Sequence, residues 1–327
     1  MPIRWGILGT GNIAHSVAAD LQLLPDAELV AVGSRSQDRA DAFGDAFDVP
    51  RRHAAYEALV ADDRVDAVHV ATPHTGHAEH AALALEAGRA VLCEKPLALN
   101  ASEADNLIAT ARAADQFLME AMWTRFLPVM ADVRRLVTEE QVLGDVQQVR
   151  ADIGLTQAFD PNHRLFDPAL GGGALLDLGV YPMAFAFDLF GPPDAVTSTA
   201  VLGATGVDEQ CAVVFDYDDG LQATWQASVR ADVGRTCAVA GPDGRLEGRR
   251  AWWKGAPFDL TRPDGSTETF ARPFEGNGYQ FEVAHVQRCL REGRTESPVM
   301  PLDESRAFLQ TADALRAEWG VRYPQEA

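Results

Sequence analysis

The sequence predicts an α/β chain in two parts. Residues 1–122 read as a parallel sheet wound with helices, and residues 123–327 as an α+β domain with an open, largely antiparallel sheet. Three observations carry this. Between residues 3 and 119 short apolar runs alternate with segments of helical spacing, the pattern of parallel strands joined by right-handed crossovers. A glycine-rich turn, GTGNIA, stands between the first strand and the first helix. Beyond residue 144 strand-like runs follow one another without intervening helices, as antiparallel sheets do. The length of 327 residues also exceeds what a single core usually serves.

The elements follow in order. Residues 3–8 are an apolar strand ending in GTGNIA, and HSVAADLQLL has helical spacing. ELVAVGS (28–34) is the second strand and RSQDRADAFGDAF the second helix. DAVHVAT (66–72) is the third strand, and HAEHAALALEAG is a helix with Gly88 at a C-cap position. Residues 90–93 are a strand, SEADNLIATARAA a helix with Ser102 as its N-cap, and 117–119 a last short strand. In the second part, strands are predicted at 145–155, 195–202, 209–217, 221–230 and 235–240. A helix at 170–191 interrupts them, and two late helices fall at 281–293 and 303–319.

With 28 basic against 48 acidic residues the net charge is −20. Such a field repels phosphate backbones and anionic headgroups, which argues against nucleic-acid and membrane partners. The N-terminus has no apolar leader, and no uninterrupted apolar run reaches the length of about 18 residues that a membrane span needs. Cys93, Cys211, Cys237 and Cys289 are scattered without metal-ligand spacing, so they read as free thiols of a cytoplasmic protein. No metal site is expected.

Gly9-Thr10-Gly11-Asn12-Ile13-Ala14 is GxGxxA. Glycine allows the tight turn and lets backbone approach a pyrophosphate, which the helix N-terminus attracts, so the first part is a Rossmann dinucleotide-binding domain. A carboxylate at the end of the second strand would select NAD. Here the strand ends Gly33-Ser34-Arg35-Ser36, and a guanidinium suits a 2′-phosphate, with Ser34 and Arg39 as helpers. NADP is therefore preferred over NAD.

Lys95 and Lys254 are the only lysines among 28 basic residues. Arginine cannot deprotonate near neutrality, whereas lysine can be tuned, so Lys95 at a strand's carboxyl end is a candidate functional amine. Glu94 could orient it, and Pro96 bends the chain there.

AVLCEKPLALN resembles the EKP signature of the Gfo/Idh/MocA oxidoreductase family. GTGNIA, ATPHTGHAEHA (71–81) and GGGALLDLGVYP (171–182) follow that family's order. The resemblance covers essentially the whole chain. It implies that Lys95 is catalytic beside nicotinamide and substrate, that the Lys95–Pro96 peptide is often cis, and that the TP segment (Thr72, Pro73, His74, His77) lies near the cofactor.

In the helix at 170–191, Asp177 and Tyr181 are four residues apart and share one face. A buried acid there is costly unless paired or used. Many family members carry His at the second position, and Tyr181 resembles instead the branch of trans-dihydrodiol dehydrogenases and NADP-dependent D-xylose 1-dehydrogenases. The resemblance implies Tyr181 as acid/base, supported by Lys95, with Asp177 orienting Lys95 or a substrate hydroxyl.

On the substrate side, Trp123 is implied by the WTRF resemblance, with Arg125 beside it; Phe159, Asn162, His163 and Arg164 are lid candidates, and Trp252, Trp253 and Tyr279 could offer aromatic faces. The spacing His74, His77, His80 lacks the further ligands a metal needs. The reading is an NADP-dependent oxidoreductase of a sugar or cyclic polyol. Its alternatives are a ketosugar or anhydrosugar reductase, and a non-catalytic NADP-sensing regulator. A homodimer or homotetramer through the C-terminal sheet is expected.

Overall fold

The computed structural model describes residues 1–326. The chain divides into two units, Met1–Trp123 with Glu275–Leu309, and Thr124–Phe274 with the residues from Gln310 onward. The sequence reading placed everything after 122 in the second domain. The late segment instead belongs to the first unit, where the buried carboxylate of Asp20 accepts from Asn277 N (2.8 Å), Asn277 Nδ2 (2.9 Å) and Tyr279 N (2.8 Å).

The first unit is built on β1 (Ile3–Leu8), β2 (Ala27–Gly33), β3 (Arg51–His53), β4 (Ala67–Val70), β5 (Ala90–Glu94) and β6 (Leu118–Ala121). Their order is β3-β2-β1-β4-β5-β6, and every neighbouring pair is parallel. Strands covered on both faces read as continuous apolar runs, and all of β4, β5 and β6 is buried. The helices are α1 (Asn12–Leu21), α2 (Gln37–Phe47), α3 (Tyr56–Val60), α4 (His77–Glu86) and α5 (Ala101–Ala114). Sheet order reverses between β1 and β4, the place where such sheets open a ligand crevice at their carboxyl ends. Neither β3 nor α3 was predicted, because RRH and YEALV carry no periodic signal of their own. The cap of α5 is Asn100 rather than Ser102: Asn100 Oδ1 accepts from Glu103 N at 2.9 Å, and Glu103 accepts from Leu99 N at 3.0 Å.

In the second unit, α6 (Pro128–Arg134) leads to an eight-stranded sheet. Its members are β7 (Gln148–Gly154), β8 (Ala195–Leu202), β9 (Asp208–Asp216), β10 (Gln222–Ser228), β11 (Cys237–Gly241), β12 (Gly244–Gly248), β13 (Phe258–Thr261) and β14 (Thr267–Phe270). Their order is β14-β13-β12-β11-β7-β10-β9-β8; only β7 and β10 pair in parallel. Alternation runs through β9 and β10 and the start of β7: Val149, Ala151, Ile153, Val213, Phe215, Ala223 and Trp225 are buried, while Arg150, Ala212, Thr224 and Gln226 are exposed. The helix that ends as α7 (Val180–Phe190) covers the buried face. The segment Pro168–Phe190 is long and apolar enough for a membrane, but 83% of its most apolar window lies inside the fold, as befits a core helix. α8 (Gln280–Arg291) belongs to the first unit, and α9 (Leu302–Trp319) is the last long helix.

Candidate active site

In the first unit the turn after β1 can be built only with glycine. Gly9 has φ +102°, and a Cβ on it would stand 2.5 Å from the Ala71 carbonyl oxygen. A Cβ on Gly11, in contrast, would meet nothing within 4 Å. α1 starts there with no side-chain cap and no acid in its first turn, so its N–H groups and positive end suit an anion. Thr10, Asn12 and Ile13 line the same exposed turn.

β2 ends at Gly33 and is followed by the buried Ser34 and the exposed Arg35 and Arg39. Neither arginine has a carboxylate partner among the described residues, in a chain where most guanidinium groups are paired. Tyr56, which the sequence reading missed, shares a hydrogen bond with Arg35; burial pushes its phenol up, and Arg35 opposes that. The Tyr56 ring lies edge-on to His80 at 4.6 Å, and His80 Nδ1 meets Thr72 Oγ1 at 2.9 Å. These residues stand after β2, where a Rossmann fold receives the ribose of its dinucleotide.

At the carboxyl end of β4, Thr72, Pro73 and His74 form a short turn into α4. His77 is buried, with Nδ1 2.7 Å from the Pro96 carbonyl and Nε2 2.8 Å from the Thr72 carbonyl. A neutral ring can donate to only one of these acceptors, and burial pulls the ring toward neutrality. His77 therefore ties the Thr72 turn to the Pro96 turn and is not a direct ligand contact. The His77 ring and His80 Nδ1 are engaged by protein oxygens. Among the described residues no group of three His, Cys, Asp or Glu could hold a metal.

The Lys95–Pro96 peptide is cis, and Lys95 is half-buried. Glu94 is buried against His69, Oε1 to Nε2 3.2 Å. It serves the interior of the sheet rather than a cofactor or Lys95, a correction to its assigned role. The turn after Lys95 is pinned by Glu120 of β6, which accepts from Leu97 N at 3.0 Å. Trp123 is buried, its ring 4.7 Å from that of Tyr279.

In the second unit the helix begins at Ala174, widens to π geometry over Leu175–Gly179 and continues as α7. Asp177 is buried and gripped by Arg164, Nη1–Oδ1 2.7 Å and Nη2–Oδ2 3.3 Å. Its carboxylate thus holds the Arg164 guanidinium. The half-buried Tyr181 raises the Arg164 pKa along with Asp177, which places its phenol in the field of that guanidinium; the Tyr181 ring lies 6.3 Å from Trp253. Phe159 is exposed and touches Phe166 at 5.2 Å. His163 lies beside Phe166 at 6.1 Å, and its Nδ1 accepts from Leu165 N at 3.3 Å. Phe159 and Phe166 line a cavity of about 440 Å³ with Gln157, Glu209 and Arg230. Arg125 departs from its assigned substrate role. It is buried, donating to the Ala184 carbonyl at 3.2 Å and lying 4.0 Å from Asp188, so it fastens α7.

Comparison with known proteins shows the family. Residues 3–122 match the family model of Gfo/Idh/MocA oxidoreductases with an NAD-binding Rossmann fold, and residues 130–247 match the Gfo/Idh/MocA C-terminal domain. The chain is 36% identical over 340 residues to trans-1,2-dihydrobenzene-1,2-diol dehydrogenase of Mus musculus, covering 100% of this chain and 99% of the relative. Among solved structures, KijD10, a 3-ketoreductase from Actinomadura kijaniata in complex with NADP and TDP-benzene, is similar at TM-score 0.84 and 29% identity over 97% of this chain and 98% of that one. An aldose-aldose oxidoreductase from Caulobacter crescentus shares the fold at TM-score 0.89 over 98% of both chains, with 24% identity.

Proposed function

The chain belongs to the Gfo/Idh/MocA family of oxidoreductases, and from that premise we propose that it is an NADP-dependent dehydrogenase oxidising a hydroxyl of a cyclic diol or sugar. It is a dehydrogenase or reductase of the NAD(P)-binding kind acting on sugar or diol hydroxyls. The choice of NADP rests on Arg35 and Arg39, exposed, without carboxylate partners among the described residues and following a strand whose end leads into Ser34. That KijD10 is described with NADP supports it.

Tyr181 supplies the acid/base. A free phenol with pKa near 10 is a poor base at neutrality, and the Arg164 guanidinium favours its ionised form. In oxidation the substrate hydroxyl gives its proton to Tyr181 Oη. A nicotinamide cofactor held at the Gly9–Gly11 turn would supply the hydride acceptor. Lys95, the lysine of the EKP turn, is the second acid/base candidate of this reading. Asp177 fixes Arg164, and the exposed Phe159 offers apolar surface to a ring or a sugar's C–H face. The reverse reaction, reduction of a ketosugar, uses the same groups in the opposite order, and the 3-ketoreductase relative supports keeping it open. The observation that carries the proposal is the half-buried phenol held one turn from an Asp–Arg pair.

The partners and setting follow the same reading. The outward face of the eight-stranded sheet, with Ala212, Thr224 and Gln226, is the surface for a homodimer or homotetramer. Four buried free cysteines suit the cytoplasm. A panel of trans-dihydrodiols and aldoses, followed at the NADPH absorbance band with NADP and NAD in parallel, tests the function. Turnover of a diol or aldose with NADP supports it; tight NADP binding with no turnover of any member favours a sensor instead.

A further inference from the structure

The helix carrying Asp177 and Tyr181 begins at Ala174 with three glycines before it, so no local side chain can cap it. The cap comes from elsewhere in the chain. Asp208, at the start of β9 and fully buried, accepts from Leu175 N at 2.6 Å and also from Ala174 N. Its other oxygen, Oδ1, has no hydrogen-bond partner among the described residues. A Cβ on Gly173, at φ +130°, would stand 2.3 Å from that oxygen. Gly172 gives its carbonyl to the buried Tyr323 hydroxyl at 2.7 Å. The glycines are thus the seat of an acid and a phenol, and the room they leave is already filled by the protein.

We propose that Asp208 is a positioning residue: reaching from β9, its carboxyl group caps the helix begun at Ala174 and thereby sets the placement of Asp177 and Tyr181. The observations are independent of the mechanism above, but the kinetic consequence rests on that reading of Tyr181. Burial pushes the Asp208 carboxyl up to about 7, against the pull of the Leu175 and Ala174 amides. The other charged or titratable groups around it are Arg316, Tyr323 and Cys211. Arg316 stacks on the Tyr323 ring at 4.8 Å and is already paired with Glu326 (2.8 Å) and Asp313 (2.6 Å), so it is only a partial counter-ion. Tyr323 and Cys211 are themselves pushed up by burial and stay neutral. Asp208 is therefore the group in this cluster that changes charge near neutrality, at the first turn of the helix that presents Tyr181.

The test uses the full chain, isotope-labelled, with the amide resonances of Leu175 and Tyr181 followed from acid to alkaline pH in wild type and Asp208→Asn. Both amides of the wild type are expected to shift with a common midpoint near 7, and both to stay flat in Asp208→Asn, which keeps an acceptor but cannot ionise. In turnover with NADP, Asp208→Ala should lower kcat by roughly tenfold with KM for NADP within about twofold, and Asp208→Asn should recover most of it. A Leu175 amide that does not titrate, a Tyr181 amide that stays still while Leu175 moves, or an Asp208→Asn that titrates like wild type would each overturn the proposal. If Asp208→Ala does not fold, the Asp208→Asn comparison decides alone. If the amides titrate but no diol or aldose turns over, the substrate reading fails and the cap stands.

Discussion

Asp177 and Arg164 form a two-pronged ion pair, 2.7 and 3.3 Å, in which the acid is buried and the guanidinium is open on its outer side. The pair explains how an otherwise apolar helix carries an acid, and it sets a fixed positive charge beside Tyr181. Arg164→Ala removes a two-pronged charged partner from a buried carboxylate, so it should cost about 1–3 kcal/mol in urea denaturation. It should also move the alkaline limb of the kcat/KM profile upward, because the phenol loses its nearby cation. Arg164→Lys, a point charge without the fork, should restore the limb better than the stability.

The cofactor choice can be tested apart from catalysis. Arg35→Ala and Arg39→Ala each remove a charged donor worth about 1.5–3 kcal/mol, so the Kd for NADP should rise about 10- to 100-fold. Calorimetric titration should leave the Kd for NAD within about twofold. Equal losses for both nucleotides would assign the two arginines to the shared pyrophosphate or to the fold.

Gly9→Ala meets two obstacles at once, a backbone φ of +102° and the Ala71 carbonyl 2.5 Å from the new methyl. A loss of about 1–3 kcal/mol of stability is expected, together with at least a tenfold weaker NADP affinity, about 1.4 kcal/mol. Gly11→Ala, whose methyl meets no protein atom, should leave stability nearly unchanged and weaken only nucleotide binding.

His285 sets an acid limit on stability. It is buried against Ser297 at 2.7 Å, and burial, with Arg288 beside it, pulls its pKa down to about 4. The folded value lies below the ordinary one near 6.5, so the folded state favours the neutral ring. The stability it contributes is present above pH 6.5 and is lost as the pH falls toward 4. His285→Gln should flatten the melting temperature across that window, and a slope identical to wild type would assign acid sensitivity elsewhere.

Much of the fold was legible because it depends on local signals: the apolar runs of β1, β4 and β5, the GTGNIA turn and the EKP bend each speak for themselves. β3 and β12 to β14 did not, since RRH, GRLEG, FDLT and TETF are short and half polar and exist through their neighbours' hydrogen bonds. At the site, Gly9, Lys95, Asp177 and Tyr181 could be named from spacing and resemblance, but their partners could not. Arg164 folds back onto Asp177 from 13 positions away, and Asp208 reaches Leu175 from 33. Glu94 and Arg125 illustrate the same limit from the other side. Adjacency to Lys95 and Trp123 suggested functional roles, yet strand pairing turns one toward His69, and the turn after Trp123 carries the other to α7.

The most direct measurement compares kcat/KM of wild type, Tyr181→Phe and Lys95→Ala for oxidation of trans-1,2-dihydrobenzene-1,2-diol with NADP, alongside NADP binding. If a phenol on the core helix moves the substrate's proton and an ammonium after β5 assists it, each variant falls by about 10²-fold or more while Tyr181→Phe binds NADP as wild type does. Wild-type turnover in Tyr181→Phe would contradict the account at its centre.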